Sequence, residues 1–363
     1  MIRLESCDRT IYLDADLPGL LPMLQRILSP GIAVTQSDAR PDNALLISVS
    51  IDSRLMTWTV PGDAPSYIID QGKITFSLED IRQRSAIYVK HADDGAAPIR
   101  LCTTDEMEWR MTISSASPAD LRGMVRLVRY IFGSMLFRCG VQFLHASAVA
   151  VNGKAYLFAG NSGSGKSSLM FKCCAELGGA FISDDLVCLW VNAQNELIIS
   201  GWPKRVAVGT NLIERGSPVE HRLAQLADAG TRHYKDDAPT DSWSVAERSR
   251  MRFDSAEFLD VFGFEGARCA PLSAVVLPQA TPSMSAWNIK KLPPHTAYSY
   301  LKQDDSIQIR YVTDVLGLFK GMKLAHLQAP DHSVPAVHAR YGPNINLAFG
   351  RFWDDLFQQT TKA

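Results

Sequence analysis

The run from Phe143 to Cys173, FLHASAVAVNGKAYLFAGNSGSGKSSLMFKC, constrains the fold more than any other part of the chain. At its centre Gly160, Asn161, Ser162, Gly163, Ser164, Gly165, Lys166 and Ser167 fit G-x-x-x-x-G-K-[ST] without a gap, and Ser168 continues the turn. An apolar run, KAYLFAG, enters the loop, and a helix-compatible run, KSSLMFKCC, leaves it. Glycines suit such a loop because successive backbone N–H groups must turn inward around anionic oxygens, which side chains would obstruct. The N-terminus of the following helix adds partial positive charge at the same point. The spacing predicts a strand–loop–helix unit that cradles phosphates from Gly160 to Ser168. Lys166 reaches the β- and γ-phosphates of a nucleotide, and the Ser167 hydroxyl ligates Mg2+. The loop leaves the reaction open, since hydrolysis, transport and phosphoryl transfer all use it.

Two flanking features narrow the chemistry. Asp184-Asp185 follows the apolar GAFI, where a second strand is expected to end beside the loop. A carboxylate pair there is costly unless positive charge separates it from the phosphates, a task for Mg2+ and Lys166. One acid can hold the metal while the other accepts a proton from an attacking hydroxyl. The plainer alternative makes one a metal ligand and the other a solvated strand-end residue. His145 lies fifteen residues before Gly160. If VNGK closes an antiparallel hairpin, His145 returns close to the loop; alone, it reads as a structural histidine.

Elsewhere the texture is ordinary. The 363 residues are 46% apolar and 21% charged with a formal net charge of −1, so nothing general points to nucleic acid or an anionic membrane. Seven cysteines without paired metal-ligand spacing suggest reduced thiols and a cytoplasmic location. No secretory signal or apolar run of about 20 residues is evident. TIYLDA, NALLISVSI, LMTWTV, SYIID, KITFSL and SAIYVKH read as short strands, with one helix around LPGLLPMLQRIL, giving a small, mostly antiparallel sheet. Helical spacing from Pro118 to Cys139 predicts a core helix started by Ser117-Pro118. The apolar runs VQFLHASAVAV and GAFISDDLVCLWV read as strands. Residues 214–250 are polar, and their stretch RHYKDDAPTDSWS is the best candidate for a mobile loop able to close over a site. RMRFDSAEFLDVFGF, the strand APLSAVVLPQ and a terminal helix around RFWDDLFQQ complete the chain.

Taken together, LHASAVAVNGKAYLFAGNSGSGKSSL and FISDDLV resemble the core of HPr kinase/phosphorylases and their wider relatives, which include lasso-peptide-type kinases. The match in order and spacing extends over about residues 121–280. It implies an α/β fold: a P-loop core of the HPr kinase/PEP carboxykinase type over residues 118–363, behind a smaller, mostly antiparallel α+β domain at 1–117. By analogy, that N-terminal domain recognises the acceptor. The resemblance further implies ATP and Mg2+ as cofactors, Lys166 on the phosphates and Ser167 on the metal. Asp184 is the implied general base and Asp185 a metal ligand, with the two roles exchangeable, and His145 stands at the transfer site. The chain departs from the family in carrying Asn161 where Asp is usual and in lacking the E-[IV]-R-G-x-G signature. The nearest segment, ELIISGWPKRVAVG, instead supplies Lys204 and Arg205. With Arg250 and Arg252 these are candidate contacts to phosphate or acceptor; a solvated basic pair is the plainer reading of Lys204 and Arg205.

The leading expectation is thus ATP-dependent transfer of the γ-phosphate to a hydroxyl, foremost serine, of a peptide or small protein. The relatives leave a homo-oligomer open. A carboxykinase-like small-molecule enzyme is the second reading, although no convincing metal-site Lys/His pair is visible. A regulatory nucleotide-binding module with slow hydrolysis is the third; it would need Lys166 but not Asp184.

Overall fold

The structure, a computed structural model, describes residues 1–57, 66–69, 74–80, 85–90, 97–103, 107–209, 212–213, 216–228, 250–301 and 334–361. These divide into two compact units. Residues 1–25 and 33–142 form the first; residues 26–32 and the described residues from 143 onward form the second. The division after residue 142 assigns the helix that begins at Pro118 to the first unit, whereas the sequence reading divides the chain at 117/118. Among the described residues no helix is long and apolar enough to cross a membrane, and all seven cysteines are free thiols.

In the first unit the strands are β1 (Ile2–Ser6), β2 (Arg9–Asp14), β3 (Ala33–Gln36), β4 (Leu45–Ile51), β5 (Ser66–Ile69), β6 (Ile74–Asp80), β7 (Ser85–Lys90), β8 (Ile99–Thr103) and β9 (Glu108–Ile113). They form one sheet in the order β3-β1-β2-β4-β9-β8-β7-β6-β5. Its pairings are antiparallel except β2 with β4 and β4 with β9, which are parallel. Buried and more accessible residues alternate along β1, β8 and β9, the period of a strand with one covered face. Helix α1 (Leu20–Leu28), whose residues from Arg26 onward are counted with the second unit, buries Leu20, Leu24 and Leu28 at four-residue spacing. One expected strand is corrected. Of LMTWTV, Leu55 to Thr57 lie in a 3-10 turn (Ser53–Thr57), and residues 58–60 lie outside the described residues. The Asp52 carboxylate accepts the Arg54 N–H at 3.0 Å, and this local turn chemistry overrides the β propensity of the Leu55 to Thr57 segment.

Helix α2 (Pro118–Arg138) starts as its sequence predicts: the Ser117 hydroxyl caps the N–H of Asp120, and Pro118 occupies the first turn. Asp120 is itself buried. Burial pushes its carboxyl up, but hydrogen bonds from Ser115 (2.6 Å), Ser114 (2.7 Å), the Ala97 N–H (2.9 Å) and Ser117 outweigh it and leave the pKa lowered. A folded pKa below the ordinary 3.8 stabilises the fold above that pH, and the contribution is lost as pH falls through the folded value. Asp120→Ala strands these donors and is expected to cost about 3 kcal/mol. In urea unfolding it lowers the midpoint at pH 7 and flattens the pH dependence of stability below 3.8.

The second unit contains β10 (Gln142–Leu144), β11 (Ala146–Val151), β12 (Lys154–Ala159), β13 (Ala180–Ser183), β14 (Val187–Val191), β15 (Leu197–Gly201), β16 (Val206–Gly209), β17 (Arg250–Phe253), β18 (Cys269–Ala280), β19 (Asn288–Leu292) and β20 (Ala336–Tyr341). Its helices are α3 (Lys166–Leu177), α4 (Pro218–Asp228), α5 (Ser255–Phe262), α6 (Pro294–Leu301) and α7 (Phe349–Thr361). The main sheet runs β10-β14-β15-β18-β12-β11-β13, with β20 parallel to β18 and β19 antiparallel to β20; β16 and β17 pair separately. This is a mixed α/β architecture. Val149, Phe158, Leu169, Phe181, Phe258 and Phe352 belong to a continuous apolar cluster around α3. Gly178, with φ 63°, ends α3 and hands its N–H to Cys173 O.

Two sequence expectations change here. Within the polar stretch 214–250, helix α4 occupies Pro218–Asp228, while RHYKDDAPTDSWS lies outside the described residues. The helix start was legible as S-P-V-E: Ser217 accepts the Glu220 N–H (3.2 Å), and the Glu220 carboxylate accepts the Gly216 N–H (2.6 Å). The runs VQFLHASAVAV and GAFISDDLVCLWV are each two strands rather than one. The first breaks at His145, the second at Asp184 to Leu186, so both interruptions coincide with the residues suspected of chemistry.

Candidate functional site

The site is assembled by one hairpin. Asn152 (φ 52°) and Gly153 (φ 73°) form the two-residue turn between β11 and β12, and both tolerate the left-handed region that such turns require. The register pairs Ala146 with Ala159, so His145 stands beside Gly160 where the loop begins. Gly160, Gly163 and Gly165 then take φ values of 138°, 79° and 107°. At Gly165 space forbids a side chain as well: a Cβ would lie 1.8 Å from the Tyr341 hydroxyl. Asn161 and Ser162 are exposed; Gly163, Ser164, Gly165, Ser167 and Ser168 are partly covered. Lys166 is buried inside the turn, where its Nζ donates to Gly160 O at 2.7 Å and Asn161 O at 3.0 Å. The buried Ser164 hydroxyl has no hydrogen-bond partner among the described residues.

Strand β13 pairs with β11 and not with the loop strand β12. Two antiparallel steps nevertheless make β13 run in the same direction as β12. Both therefore end at the same edge, and Asp184 arrives beside the helix that leaves the loop. Its Oδ1 accepts from Ser147 Oγ at 2.6 Å and from Ser167 Oγ at 2.8 Å, and the Ala207 N–H makes a longer contact of 3.5 Å to Oδ2. Burial pushes the Asp184 pKa up; the serine hydrogen bonds oppose the rise and the neighbouring Asp185 charge adds to it. A buried carboxylate held by neutral donors alone is short of positive charge.

Asp185 sits in a different environment one residue later. Its φ of 69° turns the chain, and Leu186 closes the turn with an N–H to Asp184 O at 2.9 Å. The half-exposed carboxylate meets His145 Nε2 at 2.9 Å through Oδ1 and the Lys204 ammonium through Oδ2. The His145 hydrogen bond holds its carboxyl well below the usual carboxylate range; burial opposes this and Lys204 reinforces it. Adjacent acids thus differ sharply: one is buried on hydroxyls, the other accessible between two basic side chains.

Lys204 and Arg205 lie in the segment between β15 and β16, not on a strand. Arg205 turns toward Asp254, with Nε 3.9 Å from its Oδ1, so the pair separates and only Lys204 reaches the acidic cluster. Arg252 is exposed on β17 opposite Ala207, the residue whose N–H faces Asp184. Arg250 stands opposite Gly209, further along the strand. Sequence reasoning missed Ser147. It is fully buried on β11 and donates to Asp184, and as a small polar residue inside an apolar run it was the available signal.

Among the described residues no group of three His, Cys, Asp or Glu could hold a metal ion. Ser167 Oγ and Asp184 Oδ1, already 2.8 Å apart, are instead the small set of hard oxygen donors suited to Mg2+, which commonly completes its shell with phosphates and waters. The glycine turns, buried Lys166 and unpartnered Ser164 hydroxyl likewise suit a phosphate chain.

The fold and site define a mixed α/β chain with a glycine-rich strand–loop–helix turn and a carboxylate pair at its mouth. No family model matches the chain, and no curated protein matches it. Among solved structures it aligns with the Hpr(Ser) kinase/phosphatase from Coxiella burnetii at 13% identity, over 61% of this chain and 99% of that one, with a TM-score of 0.27.

Proposed function

We propose that the protein is a nucleotide-dependent phosphotransferase that moves the γ-phosphate of ATP to a hydroxyl, foremost a serine, of a peptide or small protein. The observation that carries this reading is the split between the two acids: Asp184 shares a hydrogen bond with Ser167, whereas Asp185 is open to solvent beside His145. An accessible carboxylate held by a histidine can orient an attacking hydroxyl and take its proton, a part that nucleotide binding for regulation alone does not require. In this reading Ser167 and Asp184 hold Mg2+, which when bound neutralises charge on the phosphate oxygens. Lys166 exchanges the carbonyls of Gly160 and Asn161 for β- and γ-phosphate oxygens.

Asp185 orients the acceptor hydroxyl and takes its proton, so this geometry favours the exchange of the roles first assigned to Asp184 and Asp185. The acceptor oxygen bonds to the γ-phosphorus as the bond from phosphorus to the β–γ bridging oxygen breaks, and ADP departs. Proton transfer can be late because such a transition state asks little of the base, which suits a carboxylate of lowered pKa. His145 keeps Asp185 aimed. Lys204, paired with Asp185, would supply positive charge beside the acceptor oxygen.

The test is phosphate transfer from ATP and Mg2+ to serine-containing acceptor peptides, read by mass spectrometry. Wild type is expected to add one phosphate per serine modified. Asp185→Asn lowers the rate by about a hundredfold while ATP still binds. Tight ATP binding with no phosphate on any acceptor, and unaltered slow hydrolysis in Asp185→Asn, would refute the transferase reading.

A further inference from the structure

Two strand ends hold the glycine-rich loop from outside. Ala280, the last residue of β18, donates its N–H to Ser164 O at 3.0 Å, and the hydroxyl of Tyr341, the last residue of β20, reaches Gly165 O at 3.4 Å. Thr281 joins them by an N–H to Tyr341 O at 2.7 Å. The chain then turns back, with the Met284 N–H on Thr281 O at 3.1 Å. Gly342 crosses so near Met284 O that a Cβ there would stand 1.9 Å away.

One turn beyond this tether, Ser285, Trp287, Asn344 and Leu347 help line an open cavity of about 480 Å³. Trp287 is pinned: its Nε1 donates to Asp355 Oδ2 at 2.8 Å, and its ring meets Phe352 edge-on at 6.0 Å between centroids. Leu347, by contrast, is 90% exposed. Asn344 Nδ2 donates to Ser285 O, and its Oδ1 has no donor among the described residues.

Resting on the nucleotide reading above, we propose that this cavity receives the nucleotide's purine base while the loop holds its phosphates. Flat rings gain from contact with an immobilised indole and an otherwise water-exposed leucine. The Asn344 Oδ1 offers an acceptor for the exocyclic amine of adenine. Mostly apolar walls with one directed polar group are the composition of a small-molecule site. Reach is satisfied as well. Asn344 comes three residues after Tyr341, so their Cα atoms are at most about 11 Å apart, and Tyr341 itself touches the loop.

The loop by itself reads phosphates, so the base contribution can be separated by comparing ATP with inorganic tripolyphosphate. Calorimetric titration of each, with Mg2+, is made on the full chain and on Trp287→Ala and Leu347→Asp. Wild type is expected to bind ATP at least about tenfold more tightly than tripolyphosphate, a stacking-sized difference. Each variant loses about tenfold in ATP affinity and leaves tripolyphosphate unchanged. Leu347→Asp decides the matter if Trp287→Ala fails to fold, because the exposed Leu347 packs on little. If both compounds bind and Leu347→Asp leaves ATP affinity intact, the base site is overturned while the phosphate loop stands. If neither compound binds the wild type, the nucleotide reading and the base site fall together.

Discussion

Asp184→Asn is expected to lower phosphate transfer by about a thousandfold, a loss appropriate to removing a charged group that stabilises the transition state through a metal. The shape of the side chain is conserved, and Ser147 and Ser167 can still donate to the remaining carbonyl oxygen. What disappears is the negative charge opposite Ser167. The kinetic signature is therefore a sharply raised Mg2+ requirement together with the fall in rate, measured by varying Mg2+ at saturating ATP. The same substitution should raise the thermal unfolding midpoint of the nucleotide-free protein. Asp184 is buried on hydroxyl donors, and a neutral isostere removes the cost of that charge. Opposite movements of activity and stability would separate a functional acid from a structural one; a variant that loses both would make Asp184 a fold determinant.

Lys166→Ala carries the other large effect. The ammonium lies buried between Gly160 O and Asn161 O, so the alanine variant loses the charge meant for phosphate and also a donor that shapes the loop. ATP affinity is expected to fall by about a hundredfold or more, on the order of 3 kcal/mol. Lys166→Arg should not restore it, because a planar five-donor fork does not fit a position built for a compact ammonium. Titration of ATP into the three proteins checks both statements. Arginine restoring wild-type affinity would mean that only net charge matters and that the turn does not select the side chain.

These effects reach back to how much of the molecule its sequence disclosed. The phosphate loop was legible because its determinants are contiguous: three glycines at positive φ, then a lysine and a serine on the first turn of a helix. VNGK was legible for the same reason, since a two-residue turn with left-handed Asn152 and Gly153 is a local event. So were the start of α2 at Ser117-Pro118 and the glycine that ends α3. The S-P-V-E start of α4 was equally local and could have been read. In the first unit, β1, β3, β8 and β9 went unnamed, and so did the parallel insertion of β4 between β2 and β9, because strand partners distant in sequence leave no local mark.

What the sequence determined by itself was the loop, its hairpin, and the presence of a histidine and two acids in order and at suitable spacing. Only the tertiary structure decided that the apolar strands break at those residues, that β11 lies between β12 and β13, and that the two adjacent carboxylates face different neighbours. Asp184 and Asp185 are chemically identical and consecutive. Their difference comes from Ser147 and Ser167 around one and from His145 and Lys204 around the other, across separations of 17 to 40 residues. A side chain's charge state and reach are set by what packs against it, and that packing is a property of the folded chain.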